Sequence, residues 1–576
     1  MTNILSASEP ELQSNGAQAP QPSAAAAVDP LQTLKSVAIA PRMLEDDKPL
    51  SESLEWRLSE AYWNTAGTRG FVQSDIPYTI TSSGTLSANA ARLLFANCLE
   101  HPPAGAFDVL EIGAGTGLFA RLFLDEFARL NEQNGRCFHK QITYYVTDRS
   151  PRTVAQWREL GLFSGCSAVL ARADGIDPLR IEVDGLPGRV LAGVRAAFFN
   201  YALDSMPATV IRNGPNAPEE LHIRTHLSAD EARVKRHTSL SLQEIAALAR
   251  NLDPALLNLL PVLDFEVRFR PCERKYTGLS DALTFGHDWP KIVLNYGAID
   301  SVEKVLASLD PHGLVLINDY GLLRGEDAAS MSAVQRFGPS SALGLNFPFL
   351  DHYFSKNGRV VVKPESDERL PLHPRLYMRS SSLPETERAF HRLFDWSGHR
   401  DQMESQEQAR QHIEAGRMDD AKASYEAALA ARSRDWVLLG EIAEFLIRQV
   451  ASYQAAKDIA AAALAVNPWY STWLWNVYGD ALYALELYPD AHNAYVKASQ
   501  LEETDPRTNL NLAYSFAQLA DYSSALSCLA RGLAHDNGAY RDRLLEKQQQ
   551  ILGTLQSRWI EHQQWIASRA ARMQSA

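Results

Sequence analysis

The run EIGAGTG places a carboxylate, Glu111, ahead of three glycines at alternate positions, Gly113, Gly115 and Gly117. Glycines that dense let a backbone turn come close to a ligand. A dinucleotide-binding turn spaces its glycines Gly-x-Gly-x-x-Gly and seats a pyrophosphate at the next helix N-terminus. Here Leu118 occupies the place of the third glycine, and the Gly-Lys-Ser/Thr of a phosphate loop is absent. Charge points the same way, because Glu111 would repel a pyrophosphate and attract an ammonium or a sulfonium. S-adenosylmethionine carries both cations and no phosphate, so it is the expected cofactor.

Such a turn needs a strand before it and a helix after it. DVLEIG reads as a short buried strand. Phe119, Phe123 and Phe127, with Leu122 and Leu130, recur at three- and four-residue spacing as one face of a helix. ITYYVTD, Ile142 to Asp148, is a second strand, followed by SPRTVAQWREL with Ser150 as N-cap and Pro151 at the first helical position. AAFFNYALDSMP and GLVLINDYG supply further apolar strands. This alternation predicts an α/β, Rossmann-like domain over 106–393, preceded by helical material at 51–105 and a disordered tail at 1–50. An α+β insertion is expected at 208–289. There ELHIRTHL and DFEVRFR alternate as half-exposed strands, with a Ser241–Glu244 capping box between them.

The last third of the chain repeats. Ala421, Tyr425 and Ala428 return as Ala456, Ala460 and Ala463, then as Ala491, Tyr495 and Ala498, then as Ala525, Leu529 and Gly532, at a step of 34 or 35 residues. Small residues let paired helices approach, and Trp475 and Gly479 add a large and a small residue to the third copy. The pattern resembles tetratricopeptide repeats and implies an all-α solenoid over 402–576, ending in a capping helix or pair.

EIGAGTG itself resembles the first motif of class I S-adenosylmethionine-dependent methyltransferases. The resemblance implies that Asp148, closing the second strand, grips the ribose hydroxyls and that Asp174, in RADGID, reaches the adenine amine. FFNYALDSMPATVI, VLINDYG and YTITSSGTLSANAARLL are similar to segments of the MidA-like methyltransferases, over roughly residues 75 to 355. Mitochondrial members of that family methylate an arginine on a subunit of respiratory complex I. Asn200, Asp204 and Pro207 carry over from one motif and Asp319, Tyr320 and Gly321 from another, whereas Tyr201 stands where the family has Glu. A guanidinium acceptor stays charged, so a nearby carboxylate must hold it and take a proton as the nitrogen attacks. Asp204 and Asp319 are therefore the expected carboxylates, and the resemblance adds Asn200 to the expected catalytic residues. Tyr201 leaves a lysine, another nitrogen or an oxygen open as the acceptor.

Other function classes fall away. A formal net charge of −13 argues against a nucleic-acid binder, and the densest basic cluster, Arg233 to His237, is five residues long. No stretch is apolar enough to span a bilayer and no signal-peptide pattern is visible, so no membrane partner and a cytoplasmic location are expected. Five scattered cysteines without a Cys-x-x-Cys pair suit free thiols rather than a metal site. His222 and His226 fall on a predicted strand, about 13 Å apart, too far to share one ion. The expected function is methylation of a protein side chain, with the repeats recruiting the protein partner. A small-molecule or glycan methyltransferase and an idle scaffold are the alternatives.

Overall fold

The computed structural model describes residues 42–72, 84–184, 186–324, 335–365, 367–369, 372–379, 383–395 and 397–574. Residues 1–41 of the expected tail lie outside that set, as do residues 78–83 of the segment YTITSSGTLSANAARLL. The end of the expected tail is corrected by the structure: Met43–Pro49 is a strand, β1, and Leu50 behind it is fully buried. Asp46 and Asp47 of β1 pair with Arg224, and Asp47 also pairs with Arg270. Opposite charges across the strand pair help hold a segment that carries few apolar side chains.

Helix α1 (Leu54–Ala66) starts where the Ser53 hydroxyl accepts from the Trp56 amide, and α2 (Thr85–Glu100) follows. The chain then weaves β2 (Phe107–Ile112), α3 (Leu118–Gln133), β3 (Ile142–Asp148), α4 (Pro151–Glu159) and β4 (Ala168–Asp174). Three more strands, β5 (Asp177–Val183), β6 (Leu186–Val190) and β7 (Val194–Asn200), complete this half. The insertion follows as β8 (Thr209–Asn213), β9 (Pro218–Leu227), α5 (Leu242–Asn251), β10 (Leu263–Pro271) and β11 (Ile292–Leu294). The chain returns through α6 (Tyr296–Ser308), β12 (Leu309–Asp319), α7 (Phe347–Lys356), β13 (Val360–Val362), β14 (His373–Met378) and α8 (Pro384–Phe394).

The nine-stranded sheet runs β13-β14-β12-β7-β2-β3-β4-β5-β6. Its centre, β12 to β4, is parallel, and its outer strands are antiparallel. β3 and β4 extend to one side of β2, while β7 and β12 extend to the other. The chain therefore reverses direction at the β2–β7 junction and leaves a crevice beyond the strands' C-terminal ends. The insertion forms a second sheet in which β9 pairs with β1, β8 and β10, and the capping box at Ser241 and Glu244 is present. Its last strand, β11, lies beyond the expected boundary at residue 289 and pairs with β8.

Four antiparallel helix pairs form the repeat region: α9 (Ser397–Glu414) with α10 (Met418–Ala431), α11 (Trp436–Phe445) with α12 (Tyr453–Val466), α13 (Thr472–Ala484) with α14 (Tyr488–Leu501), and α15 (Pro506–Gln518) with α16 (Tyr522–His535). Second helices begin at Met418, Tyr453, Tyr488 and Tyr522, steps of 35, 35 and 34 residues. One long helix, α17 (Arg541–Gln574), closes the array. The molecule is thus an α/β domain followed by an all-α repeat domain.

Helix α3 is buried on two flanks. Phe119 and Phe123 pack on Phe198, and Phe123 also meets Tyr144 of the sheet. Leu122 turns away from the sheet and clusters with Trp436 and Leu439 of α11. The repeats therefore sit directly on the helix that follows the glycine turn.

Candidate active site

A cavity of about 340 Å³ opens over the C-terminal ends of β2, β3, β4 and β7. Gly113, Gly115 and Gly117 form one wall, with φ angles of 68°, 54° and 75°. A Cβ at Gly113 would stand 3.0 Å from that of Ala202, and one at Gly117 would stand 2.9 Å from Leu162 and 3.0 Å from the Trp157 indole nitrogen. Left-handed backbone and close neighbours together exclude side chains from this turn. The Gly115 amide donates to Asp148 Oδ2 at 3.1 Å, while Asp148 Oδ1 accepts from the Ser150 amide at 2.9 Å. Asp148 thus ties the first strand's turn to the second's, and burial raises its carboxyl to about 6.

Glu111 is 1 % exposed and accepts from the Tyr144 hydroxyl at 3.1 Å. Burial pushes it up to about 8, with the neighbouring Asp148 charge adding to the rise. The standing anion expected beside the glycines is corrected accordingly: without a cation nearby, desolvation keeps Glu111 largely protonated at neutral pH. Asp174 closes β4 at the cavity's exposed rim, where its Oδ1 accepts from the Ile176 amide at 3.0 Å.

The β7 turn supplies the opposite wall. Asn200 accepts from Asn318 Nδ2 at 2.9 Å, and its own amide nitrogen, beside Glu111, makes no hydrogen bond of good geometry. Tyr201 takes a left-handed φ of 53°, uncommon for an aromatic residue, and its ring lies 5.0 Å from that of Tyr320. Asp204 lines the cavity nearly buried, and desolvation lifts its carboxyl to about 7. Asp319 does not line it. This residue is fully buried, with its oxygens accepting from the amides of Leu203 (2.9 Å), Asp204 (3.4 Å) and Tyr320 (2.8 Å). The expected catalytic partner is therefore an anchor for the turn that presents Asp204.

Two contributions had no counterpart in the motifs. Helix α1 presents Trp56, Ser59, Glu60 and Trp63 to the cavity, and Glu60 holds Arg149 at 2.9 Å. Spacings of three, four and seven residues on one helix face were the available signal. From the repeats, the nearly buried Tyr470 donates its hydroxyl to the Thr116 carbonyl inside the glycine turn at 2.7 Å. Among the described residues no cluster of His, Cys, Asp and Glu is arranged to hold a metal ion, and no helix is long and apolar enough to cross a membrane.

No protein-family model and no curated protein matches the chain. Solved structures show partial likenesses. A methyltransferase-like protein of Burkholderia thailandensis bound to S-adenosyl-homocysteine is 16% identical over 59% of this chain and 95% of its own, with a TM-score of 0.35. A tetratricopeptide-repeat protein of Thermus thermophilus is 17% identical over 27% of this chain and 82% of its own, with a TM-score of 0.24. The type III secretion translocator chaperone SycD of Yersinia enterocolitica is 18% identical over 21% of this chain and 92% of its own, with a TM-score of 0.19.

Proposed function

We propose that the protein is an S-adenosylmethionine-dependent methyltransferase acting on a nitrogen of a protein side chain, with Asp204 as the base and the repeats recruiting the partner. One observation carries the reading: among the described residues five carboxyls, Glu60, Glu111, Asp148, Asp174 and Asp204, line the cavity beside a single arginine, Arg149. Such a lining favours a cation, whose charge would restore the ionised forms of Glu111 and Asp204, and disfavours a phosphorylated nucleotide, whose charge would raise both carboxyls further. The glycine cradle, with Asn200 and buried Glu111 side by side behind it, fits a ligand with both charge and polar groups at that wall.

On the resemblance, Asp148 would hold the ribose hydroxyls and Asp174 the adenine amine, with Glu111 and the glycine backbone around the methionine part. Bound there, the cofactor supplies an electrophilic methyl group on a sulfonium. Asp204, near 7, is poised to take a proton from an attacking nitrogen at neutral pH. The rings of Trp56, Trp63, Tyr201 and Tyr320 line the same space, offering π faces to a cationic acceptor and keeping water out. Stacked helix pairs bind peptides or helices along their concave face, which supports a protein acceptor.

A second reading, an idle scaffold, is favoured by Tyr201, which replaces the family's glutamate in a left-handed backbone conformation. Incubating the intact protein with methyl-labelled cofactor and cell extract, then separating by size, tests both. Label in a protein band is the expected result. Label confined to small molecules removes the protein acceptor, and cofactor binding without transfer leaves the scaffold.

A further inference from the structure

A second cavity, of about 540 Å³, lies at the seam between the two domains, away from the glycine turn. Helices α2, α3 and α8 and the loop joining α10 to α11 form its walls. Glu126, 2 % exposed, sits in it with Arg129, whose Nη2 and Nε approach the two carboxylate oxygens at 2.6 and 2.8 Å. Arg92 and Arg434 pair with the same carboxylate at 3.4 and 3.6 Å, longer than a charge-assisted hydrogen bond. Arg392, also lining the cavity, has no ion-pair partner among the described residues. Among the described residues, four guanidiniums therefore face two carboxylates, Glu126 and Asp395, in a chain whose net charge is −13. Arg432, in the same wall, is matched separately by Asp435.

Arg92, Arg129 and Arg434 are 40–47 % exposed and Arg392 is exposed, so water solvates this excess of two positive charges in the free protein and an anion can reach it. Thr85, Asn89 and Ser433 add hydroxyl and amide groups, and Asn89 spends its nitrogen on the Leu393 carbonyl, which leaves its oxygen to accept. The lining has no aromatic ring among the described residues to stack a base. We propose that this cleft binds a small hydroxylated anion carrying at least two negative charges, a phosphate ester or a hydroxy-polycarboxylate, and that the ligand bridges the α/β domain and the repeats. The site is independent of the methyl-transfer reading.

Calorimetric titration of the full-length protein with glucose 6-phosphate, inorganic pyrophosphate and citrate tests this, the three probes separating phosphate from carboxylate recognition. At least one is expected to bind one-to-one, with affinity falling as salt rises. Arg392→Ala, which breaks no existing ion pair, should weaken that binding about tenfold. Glu126→Gln removes the competing carboxylate and should tighten it about fivefold, a gain that a purely structural role would not give. S-adenosylhomocysteine affinity, measured on both variants, should not change. Absence of binding by all three probes, or binding that neither variant alters, would overturn the proposal. If Glu126→Gln fails to fold, the Arg392→Ala comparison decides alone.

Discussion

Burial holds the Glu111 carboxyl at about 8 and the Asp204 carboxyl at about 7, against ordinary values of 4.5 and 3.8. The folded chain keeps protons that the unfolded chain has already released, so stability falls as pH rises, from about 3.8 to about 7 through Asp204 and from about 4.5 to about 8 through Glu111. Thermal melts of the ligand-free protein and of Glu111→Gln should diverge over the Glu111 interval, with the wild type losing ground to the variant as pH rises. Parallel curves would mean that Glu111 ionises freely. Asp204→Asn should lower the transfer rate by about 100-fold or more while S-adenosylhomocysteine still binds. An unchanged rate would remove Asp204 from the chemistry. Residue types and positions at this wall, from Glu111 through Asp204, were readable because each lies at or just past the C-terminal end of a strand. Their charge states were not, since desolvation depends on neighbours such as Tyr144 and Phe198 that no local pattern joins to them. The same holds for Asp319, whose motif position says nothing about three backbone amides consuming its oxygens.

At the level of elements, the glycine turn is braced from two directions: by Asp148 from the neighbouring strand and by Tyr470 from the loop between α12 and α13. Removing one buried hydrogen bond costs about 1 kcal/mol. Tyr470→Phe should therefore weaken S-adenosylhomocysteine binding roughly fivefold without altering the far-ultraviolet dichroism. Equal affinity would show that the turn stands without the repeats. Strands of the parallel sheet and the helices between them were legible from apolar runs and 3.6-residue periodicity, and the insertion's two long strands from strict alternation. Strand β1 was not, because arginines on other strands compensate its aspartates. The Tyr470 contact spans 354 residues, and Tyr470 in isolation reads as one more aromatic side chain of the repeats.

Across the whole molecule, the two domains share packing rather than merely a linker. Leu122 belongs to a cluster with Trp436, Leu439 and Leu474, and Tyr470 belongs to the core on the α3 side of the sheet. Calorimetric unfolding should accordingly give one cooperative transition, and two well-separated transitions would contradict the shared core. The repeat itself was readable from its 34- or 35-residue step, because translation along a chain leaves a period. Docking leaves none, and Leu122 looks equally apolar whether it meets a sheet or a second domain. Everything functional converges on the ligand that the acidic cavity accepts. Titrating the intact protein in parallel with S-adenosylmethionine, NAD and ATP tests that most directly. Saturable one-to-one binding of S-adenosylmethionine, lost in Gly115→Arg, with any heat from the two phosphorylated nucleotides left unchanged by that substitution, is the expected result. Binding of NAD or ATP that Gly115→Arg abolishes, with none of S-adenosylmethionine, would contradict it.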